Sequence, residues 1–326
     1  MVVSSVDFTV VVPTYNGASR VPTVLKALQS QVGTNDCSWE VIVVDNNSSD
    51  NLKEVFEQQK AAWQGKGALL YVFEKQQGLA FARQAGVEAA KGSFVGFLDD
   101  DTVPNSDWLS VAYQFGAQHP KVGAFGGQIH GAFESPPPDN FKRIQSFLAI
   151  KEHGADLRQF NPDVLFLPAG AGLVIRRQAW LESVPRKLAR TTRGGNDFEI
   201  SIHLHKAGWE IWYNPDLHIT HSIPSWRLEP SYLLKLSDTV GSCICELRVI
   251  NSKKSLRLLV FLKVLFGSLK RVVLHWAKYR NKLSTDIVAA CEMVFFVSEF
   301  LSTFEFLKSS LKAKLLENFY ESEQLT

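Results

Sequence analysis

Three adjacent aspartates, Asp99, Asp100 and Asp101, directly follow the apolar run FVGFL. Neighbouring carboxylates repel one another unless a positive charge lies between them or water solvates them. In an extended segment, Asp99 and Asp101 place two oxygen donors on one side, which suits Mg²⁺ or Mn²⁺ bridging to a diphosphate. This D-x-D spacing is a weak signal by itself, and a solvated turn is the alternative interpretation.

Polar side chains also follow the other apolar runs in the first part of the chain. They are Thr14, Tyr15 and Asn16 after FTVVVP, Asp45, Asn46 and Asn47 after EVIVV, and Glu74 after LLYVF. In an open parallel sheet, ligands bind at the carboxyl ends of the strands. Because four runs deliver polar residues to that edge, the sequence predicts a single site there.

The elements that must position these residues are short apolar strands that alternate with amphipathic helices. The strand runs are nearly continuous and rich in β-branched and aromatic residues, which is typical of strands buried on both faces. Their alternation predicts an α/β fold with a Rossmann-like, mostly parallel central sheet flanked by helices. We expect one domain over residues 1–230, divided into halves of about 1–120 and 121–230.

Residues 231–326 differ in composition and form a predicted helical C-terminal region. Its segment from Lys253 to Lys282 contains nine Lys or Arg residues and no acidic residue, and apolar residues recur there at helical spacing. Two interpretations stay open: amphipathic helices packed on the core with a solvated basic face, or attachment to an anionic membrane surface.

Bulk composition bears on several classes of function. A formal net charge of +2 over 326 residues is far from the basic excess of a nucleic-acid-binding protein. The four cysteines form no CxxC pair, which indicates free thiols in a reducing compartment. Neither a signal peptide nor an unbroken apolar run of about eighteen residues is found, so we expect a cytoplasmic protein. No G-x-G-x-x-G or P-loop motif is present.

Five segments occur in order along the chain: VVVPTYN, VIVVDNNSSD, QQGLAFARQAG, FLDDD and GGNDFEISIHLHKAGWEIWYNPDLHITH. Together they resemble the family 2 glycosyltransferases of the GT-A fold over roughly residues 7–225. They also resemble the cyanobacterial exopolysaccharide enzymes of the hormogonium type. The resemblance implies that the first half of the domain holds a nucleotide sugar and the second half holds an acceptor.

Matching motif positions give each candidate residue a role that the resemblance implies. The candidates for nucleotide binding are Pro13, Thr14, Tyr15 and Asp45 at the base and ribose, Gly78 and Arg83 along the nucleotide, and in addition Asn16, Asp99 and Asp100. The candidates for metal binding are Asp99, Asp101 and His221, with Asp101 the first choice for a direct ligand. The candidate catalytic base is Asp197. The usual Glu-Asp pair reads Asn196-Asp197 here, so its Glu is lost.

The resemblance implies an inverting transferase that uses Mn²⁺ or Mg²⁺. It would move a sugar from a nucleoside-diphosphate donor, most often UDP-linked, to a glycan or lipid-linked acceptor in polysaccharide biosynthesis. The departing diphosphate gains negative charge, which a metal offsets, and a carboxylate can take the proton of the acceptor hydroxyl. If the basic C-terminal region attaches to lipid, we expect this work at the inner face of the cytoplasmic membrane.

Two other functions are consistent with part of the sequence. VGFLDDDTV also matches the pattern of haloacid dehalogenase-type phosphatases, in which Asp99 would be the nucleophile and Asp101 the acid/base partner. A nucleotide-sugar-binding module without catalysis is the other alternative. Some candidates also have a purely structural interpretation, Asp45 and Asp197 as helix caps and Arg83 as a solvated helix residue.

Overall fold

The computed structural model describes residues 6–189 and 194–323, with side chains described as far as residue 309. These residues form two compact units. The α/β unit contains residues 6–136 and 148–225, and the helical unit contains residues 137–147 and 226–323. The division near residue 226 lies close to the expected one at 230, and residues 137–147 group with the helical unit instead of the second half of the domain.

The α/β unit consists of a sheet and the helices that connect its strands. Its strands are β1 (Phe8–Thr14), β2 (Trp39–Asp45), β3 (Ala68–Phe73), β4 (Phe94–Phe97), β5 (Thr102–Pro104), β6 (Val122–Phe133), β7 (Arg158–Gln159), β8 (Val174–Arg176) and β9 (Glu210–Ile223). Its helices are α1 (Val21–Gln29), α2 (Leu52–Ala61), α3 (Leu79–Ala89), α4 (Trp108–Gln118), α5 (Arg177–Ser183) and α6 (Asn196–Lys206).

The nine strands form one sheet in the order β3-β2-β1-β4-β8-β6-β9-β5, with β7 pairing to β9. Strands β3, β2, β1 and β4 are parallel to one another, whereas β8 runs antiparallel to β4 and β6. The alternation of strands and helices predicted from the sequence is thus confirmed. The sheet is parallel over its first half and mixed over its second.

The continuous apolar runs of β1 and β2 arise because both faces of these strands are covered. Val10 and Val12 of β1 pack with α1 on one side of the sheet, and Val11 packs with α3 on the other. Strand β3 lies at the edge of the sheet, where Leu69 is buried and its other side chains are half-buried or exposed. The C-terminal ends of β1, β2 and β4 therefore open side by side at one edge of a well-packed core.

The helical unit is built from α7 (Pro230–Ser242), α8 (Ile244–Asn251), α9 (Arg257–Tyr279) and α10 (Ile287–Glu323). Five single-turn 3₁₀ helices occur in the described parts of the two units, at Phe141–Arg143, Gln145–Leu148, Pro162–Val164, Ser225–Leu228 and Lys254–Leu256. The helical region expected from the sequence is therefore present.

Buried polar contacts tie α10 to its neighbours within the helical unit. Glu299 of α10 is buried and pairs with Arg271 of α9 at 2.5 Å, and Ser298 donates a hydrogen bond to Asp238 of α7. By length and composition, Ile287–Ser309 in the described part of α10 is also apolar enough to cross a membrane. Core helices of soluble proteins have the same composition, and the ion pair at Glu299 is typical of a helix packed against protein.

Close packing of α3 on the sheet gives a testable consequence for stability. A Cβ added at Gly86 of α3 would overlap the Val11 side chain of β1. We expect Gly86→Ala to lower the free energy of unfolding by about 1–3 kcal/mol, because overpacking outweighs the gain in helix propensity. Gly267→Ala in α9 is the matched control, since its Cβ would meet open space and should stabilise. Thermal unfolding of both variants checks the prediction, and a higher melting temperature for Gly86→Ala would contradict it.

Candidate active site

The three aspartates lie in a tight turn between β4 and β5. The backbone N–H and the hydroxyl of Thr102 both donate to the carbonyl oxygen of Asp99, at 3.0 and 2.8 Å. The turn sends the three neighbouring carboxylates to three different sets of partners. The crowding of like charges that the sequence implies is thereby relieved without a solvated loop.

Both carboxylate oxygens of Asp100 accept hydrogen bonds from other residues of the fold. Its carboxylate accepts two hydrogen bonds from the Arg20 guanidinium, at 3.0 and 2.9 Å, and one from the Thr14 hydroxyl at 2.5 Å. These contacts tie the turn to the loop that follows β1. Asp100 and Thr14 therefore lie together at the predicted edge of the sheet, and their side chains hold its shape.

Asp101 faces His221, which the pairing of β5 with β9 brings alongside the turn. The Asp101 Oδ2 to His221 Nε2 distance is 3.3 Å, and both side chains are mostly buried. His221 Nδ1 lies 2.9 Å from the carbonyl oxygen of Leu148. Because a carbonyl can only accept, Nδ1 carries a proton and donates it to Leu148, while Nε2 points towards the Asp101 carboxylate.

The Asp101 carboxylate and the His221 imidazole face each other with Oδ2 and Nε2 3.3 Å apart. Histidine ligands of metals characteristically donate their second ring N–H to a carbonyl, as His221 does to Leu148. The carboxylate and imidazole donors of Asp101 and His221 thus fit a divalent metal. Within the part of the chain that the structure describes, no three His, Cys, Asp or Glu side chains form a metal-binding group by themselves. The remaining metal ligands would be oxygen atoms of a bound molecule and of water.

Asp99 contacts a buried arginine beneath the turn. Arg83 of α3 has 2% of its surface exposed, and its Nη2 lies 3.3 Å from Asp99 Oδ1. Burial raises the pKa of Asp99, and the Arg83 guanidinium opposes that rise. Arg83 also donates to Asn196 Oδ1 at 2.8 Å. The interpretation of Arg83 as a solvated helix residue is therefore wrong.

Asp45 at the end of β2 is held on both of its carboxylate oxygens. Oδ1 accepts from the backbone N–H of Ser48 at 2.8 Å, and Oδ2 accepts from the Tyr71 hydroxyl at 2.5 Å. Desolvation and this hydrogen bond raise the pKa of Tyr71. The interpretation of Asp45 as a helix cap is wrong, because α2 begins at Leu52 with Asn51 as its N-cap, and the contact with Ser48 closes the turn after β2 instead. Asp45 is nonetheless at the edge where β1 and β2 end.

The loops after β1, β2 and β3 are joined by side-chain amides. Asn16, at a left-handed φ of 50°, accepts from the backbone N–H of Ser49 at 2.8 Å. Asn46 accepts from the backbone N–H of Gly78, the residue that precedes α3, at 2.7 Å. The ring of Tyr15 is 48% exposed above these loops, while the side chain of Pro13 is buried within β1. These polar loops, with the exposed ring of Tyr15, are here called the ledge.

Asp197 lies in the first turn of α6, whose N-cap is Gly195. The interpretation of Asp197 as the N-cap is therefore wrong. Its Oδ2 accepts from the backbone N–H of Gly170 at 2.8 Å, and a Cβ at Gly170 would overlap the Arg83 guanidinium. Arg83 thus lies between the aspartate turn and the start of α6, so the candidate base and the candidate metal ligands belong to one site.

Three residues of this site escaped sequence reasoning. Arg20 and Tyr71 carry no motif of their own, and Lys151 lies in a stretch without recognisable pattern. Burial lowers the pKa of Lys151, and the Asp197 carboxylate opposes that change. No local signal in the sequence indicates these partners, since each contact joins distant parts of the chain.

The chain is similar to a family model and to several curated proteins. The model of the family described as "Glycosyl transferase family 2" matches residues 9–180. Glycosyltransferase AglE of Haloferax volcanii is 37% identical over 100 residues, which cover 31% of this chain and 32% of that protein. Succinoglycan biosynthesis protein ExoM of Rhizobium meliloti is 24% identical over 197 residues, 60% of each chain. The chain thus spans less than two thirds of the curated relatives it matches.

A solved structure shares the fold. Mannosyltransferase PcManGT of Pyrobaculum calidifontis, solved in complex with GDP-Man and Mn²⁺, superposes with a TM-score of 0.59 at 19% identity. The alignment covers 90% of this chain and 86% of that one. At this identity the likeness shows the fold alone, and it confirms the GT-A-like α/β fold predicted from the sequence.

Proposed function

Because the chain belongs to glycosyl transferase family 2, we propose that it transfers a sugar from a nucleoside-diphosphate donor to a glycan or lipid-linked acceptor. The observation that supports this best is the carboxylate–imidazole pair of Asp101 and His221, whose Oδ2 and Nε2 atoms are 3.3 Å apart, in one site with Asp197. Metal ligand and base are the two functions that displacement at an anomeric carbon needs.

Asp101 and His221 would hold Mn²⁺ or Mg²⁺. Such an ion, when bound, offsets the negative charge that the departing diphosphate gains. Asp100 and Arg20 keep the turn against the loop after β1, so Asp101 is already oriented before the donor binds. A preorganised carboxylate needs little rearrangement during the reaction.

The donor nucleotide would lie on the ledge formed by the loops after β1 and β2. The exposed ring of Tyr15 offers a stacking surface for a base, and Asp45 offers a carboxylate to a ribose hydroxyl. UDP is our first choice of nucleotide, with GDP and dTDP as the other candidates. Thermal unfolding with each nucleotide in Mn²⁺, Mg²⁺ or EDTA tests the proposal. A metal-dependent stabilisation by one nucleotide supports it, and none with any of them contradicts it.

Asp197 is the proposed general base. A carboxylate in this position can take the proton from the acceptor hydroxyl as that oxygen attacks the anomeric carbon. One base and one displacement invert the anomeric configuration. NMR of the first product tests this, because retention of configuration would rule out direct displacement.

The acceptor belongs to polysaccharide biosynthesis in this proposal. The relative in Rhizobium meliloti is named for succinoglycan biosynthesis, which supports an exopolysaccharide acceptor. The finer resemblance to the hormogonium type stays a prediction. Membership of family 2 does not favour the phosphatase alternative, because the family match includes the strands before Asp99 that the phosphatase pattern leaves out.

The helical unit suggests where this reaction takes place, because α9 has one buried face and one exposed apolar stripe. The buried face consists of Phe261, Val264, Ser268 and His275. The other, here called the exposed stripe, consists of Leu258, Leu262, Phe266, Leu269, Val273 and Trp276. Its members recur every three or four residues and so share one helix face, with Leu258 71% and Phe266 63% exposed.

We infer that the exposed stripe binds the anionic surface of the cytoplasmic membrane. Nine Lys or Arg residues and no acidic residue occupy the segment from Lys253 to Lys282 around it. A second copy of the chain would bring the same positive charges against these, so repulsion disfavours a dimer through this face. An anionic bilayer offers an apolar layer and opposite charge together.

Vesicle binding tests the membrane proposal. We expect the protein to sediment with vesicles that contain phosphatidylglycerol and to stay in solution with phosphatidylcholine alone. Lys263→Glu and Lys270→Glu should each weaken binding roughly fivefold or more, since a lysine near an anionic surface contributes about 1 kcal/mol. Phe266→Glu should also release the protein. Val164→Glu, at an exposed apolar residue of the α/β unit, is the control. Equal binding by all four variants would overturn the proposal.

A further inference from the structure

Arg83 is one of the largest fully buried side chains in the α/β unit. Its guanidinium donates to Asn196 Oδ1 at 2.8 Å, contacts Asp99 Oδ1 at 3.3 Å and lies 5.6 Å from the ring centroid of Phe97. Its Nε makes no hydrogen bond. The backbone of Gly170 packs so closely on it that a Cβ there would overlap the guanidinium. The charge of Arg83 is therefore enclosed by protein on several sides.

A buried guanidinium must have an opposite charge nearby, because desolvation of an unpaired ion is strongly unfavourable. Asn196 supplies a neutral amide oxygen, which satisfies a hydrogen bond and leaves the charge uncompensated. Among the described residues, Asp99 is the one carboxylate in ion-pair contact with Arg83. Asp101, two residues further along the same turn, faces His221 instead.

We infer that Asp99 is a positioning residue: it is the counter-charge of Arg83, and through that ion pair it holds the aspartate turn against the start of α6. Asp101 and His221 are then the protein ligands of the metal, and Asp99 is not one of them. As a proposal, this division of roles departs from the expectation that Asp99 and Asp101 bind a metal as a pair. The ion pair stands on the geometry alone, whereas the statement about the metal rests on the proposed function.

The inference predicts that the negative charge can be moved from residue 99 to residue 196. Asp99→Asn keeps the shape of the side chain and removes the charge, so the melting temperature should fall by on the order of 10 °C without nucleotide or metal. Asn196→Asp places an isosteric carboxylate at the atom that already accepts from Arg83. The double variant should therefore recover most of the lost melting temperature.

Asp101→Asn is the matched control, since it removes a carboxylate from the same turn without touching Arg83. It should leave the melting temperature of the metal-free protein near that of the wild type, and adding Asn196→Asp to it should give no gain. Two results would overturn the ion-pair role: a wild-type melting temperature for Asp99→Asn, or no recovery in the double variant. If Asp99→Asn does not fold, the double variant must still fold for the inference to stand.

Nucleotide binding separates this inference from the proposed function. In the Asp99→Asn, Asn196→Asp double variant, the stabilisation by UDP or GDP with Mn²⁺ should remain within a few-fold of the wild-type affinity. Loss of that stabilisation would indicate that Asp99 is a metal ligand. It would overturn the inference that Asp99 does not bind the metal. If the wild type itself shows no metal-dependent stabilisation, the proposed function fails, while the melting temperatures still decide the ion pair.

Discussion

Replacement of Asp197 with Asn is expected to lower kcat by roughly 10²–10⁴-fold while nucleotide binding is kept. The Asn side chain preserves the size of Asp197, and its oxygen can still accept from the backbone N–H of Gly170. An amide cannot take a proton from the acceptor hydroxyl at neutral pH, so the loss falls on the chemical step. Release of nucleoside diphosphate from the donor, measured as initial rates, gives kcat directly.

Two measurements make the Asp197 prediction specific. The metal-dependent stabilisation by nucleotide should match the wild type, which separates loss of the base from loss of the donor site. Asp216→Asn, an exposed carboxylate of β9 whose backbone N–H donates to Asn214, is the matched control and should retain full turnover. Turnover of Asp197→Asn within a few-fold of the wild type would remove Asp197 as the base.

Replacement of Asp101 with Asn is the second change with a large expected effect. The amide is a poorer metal ligand than the carboxylate, so nucleotide should no longer raise the melting temperature in Mn²⁺. A ligand present at a hundred times its Kd stabilises by about 2.7 kcal/mol, which is the size of the signal that should vanish. Turnover should fall by roughly 10³-fold or more, because metal stabilisation of the leaving group amounts to several kcal/mol.

The control for Asp101 is the metal-free protein. Its melting temperature should change little in Asp101→Asn, whose backbone carbonyl still accepts from the N–H of Ser222 at 2.9 Å. His221→Ala should reproduce the loss of metal dependence, since it removes the second donor of the same pair. Metal-dependent stabilisation that survives in both variants would place the metal elsewhere.

The sequence by itself determined the class of fold and the edge at which the site lies. Nearly continuous apolar runs indicate strands covered on both faces, and polar residues directly after such runs must lie at their carboxyl ends. These are short-range properties, because a strand and the residue that follows it are joined covalently. Local pattern alone therefore places Asp45, Asp99 and Asp101 at one edge of the sheet.

The sequence also carried the helical pattern of α9 but could not say which face is buried. Val264 and Phe266 lie on nearly opposite faces of that helix, and both are apolar. Only the packing of α10 and α8 against α9 covers Val264 and leaves Phe266 exposed. Periodicity reports that a face is apolar, whereas the neighbouring helices decide whether it is covered.

Only the tertiary structure decided the partners within the site. His221 reaches Asp101 because β9 pairs with β5, and Arg83 reaches Asn196 because α3 and α6 meet beneath the aspartate turn. Three neighbouring aspartates then acquire three environments: a buried arginine, a bidentate arginine and an imidazole. The physical reason is that strand order and register set which distant residues meet, and those depend on the packing of the whole sheet, whereas local sequence patterns constrain only neighbours along the chain.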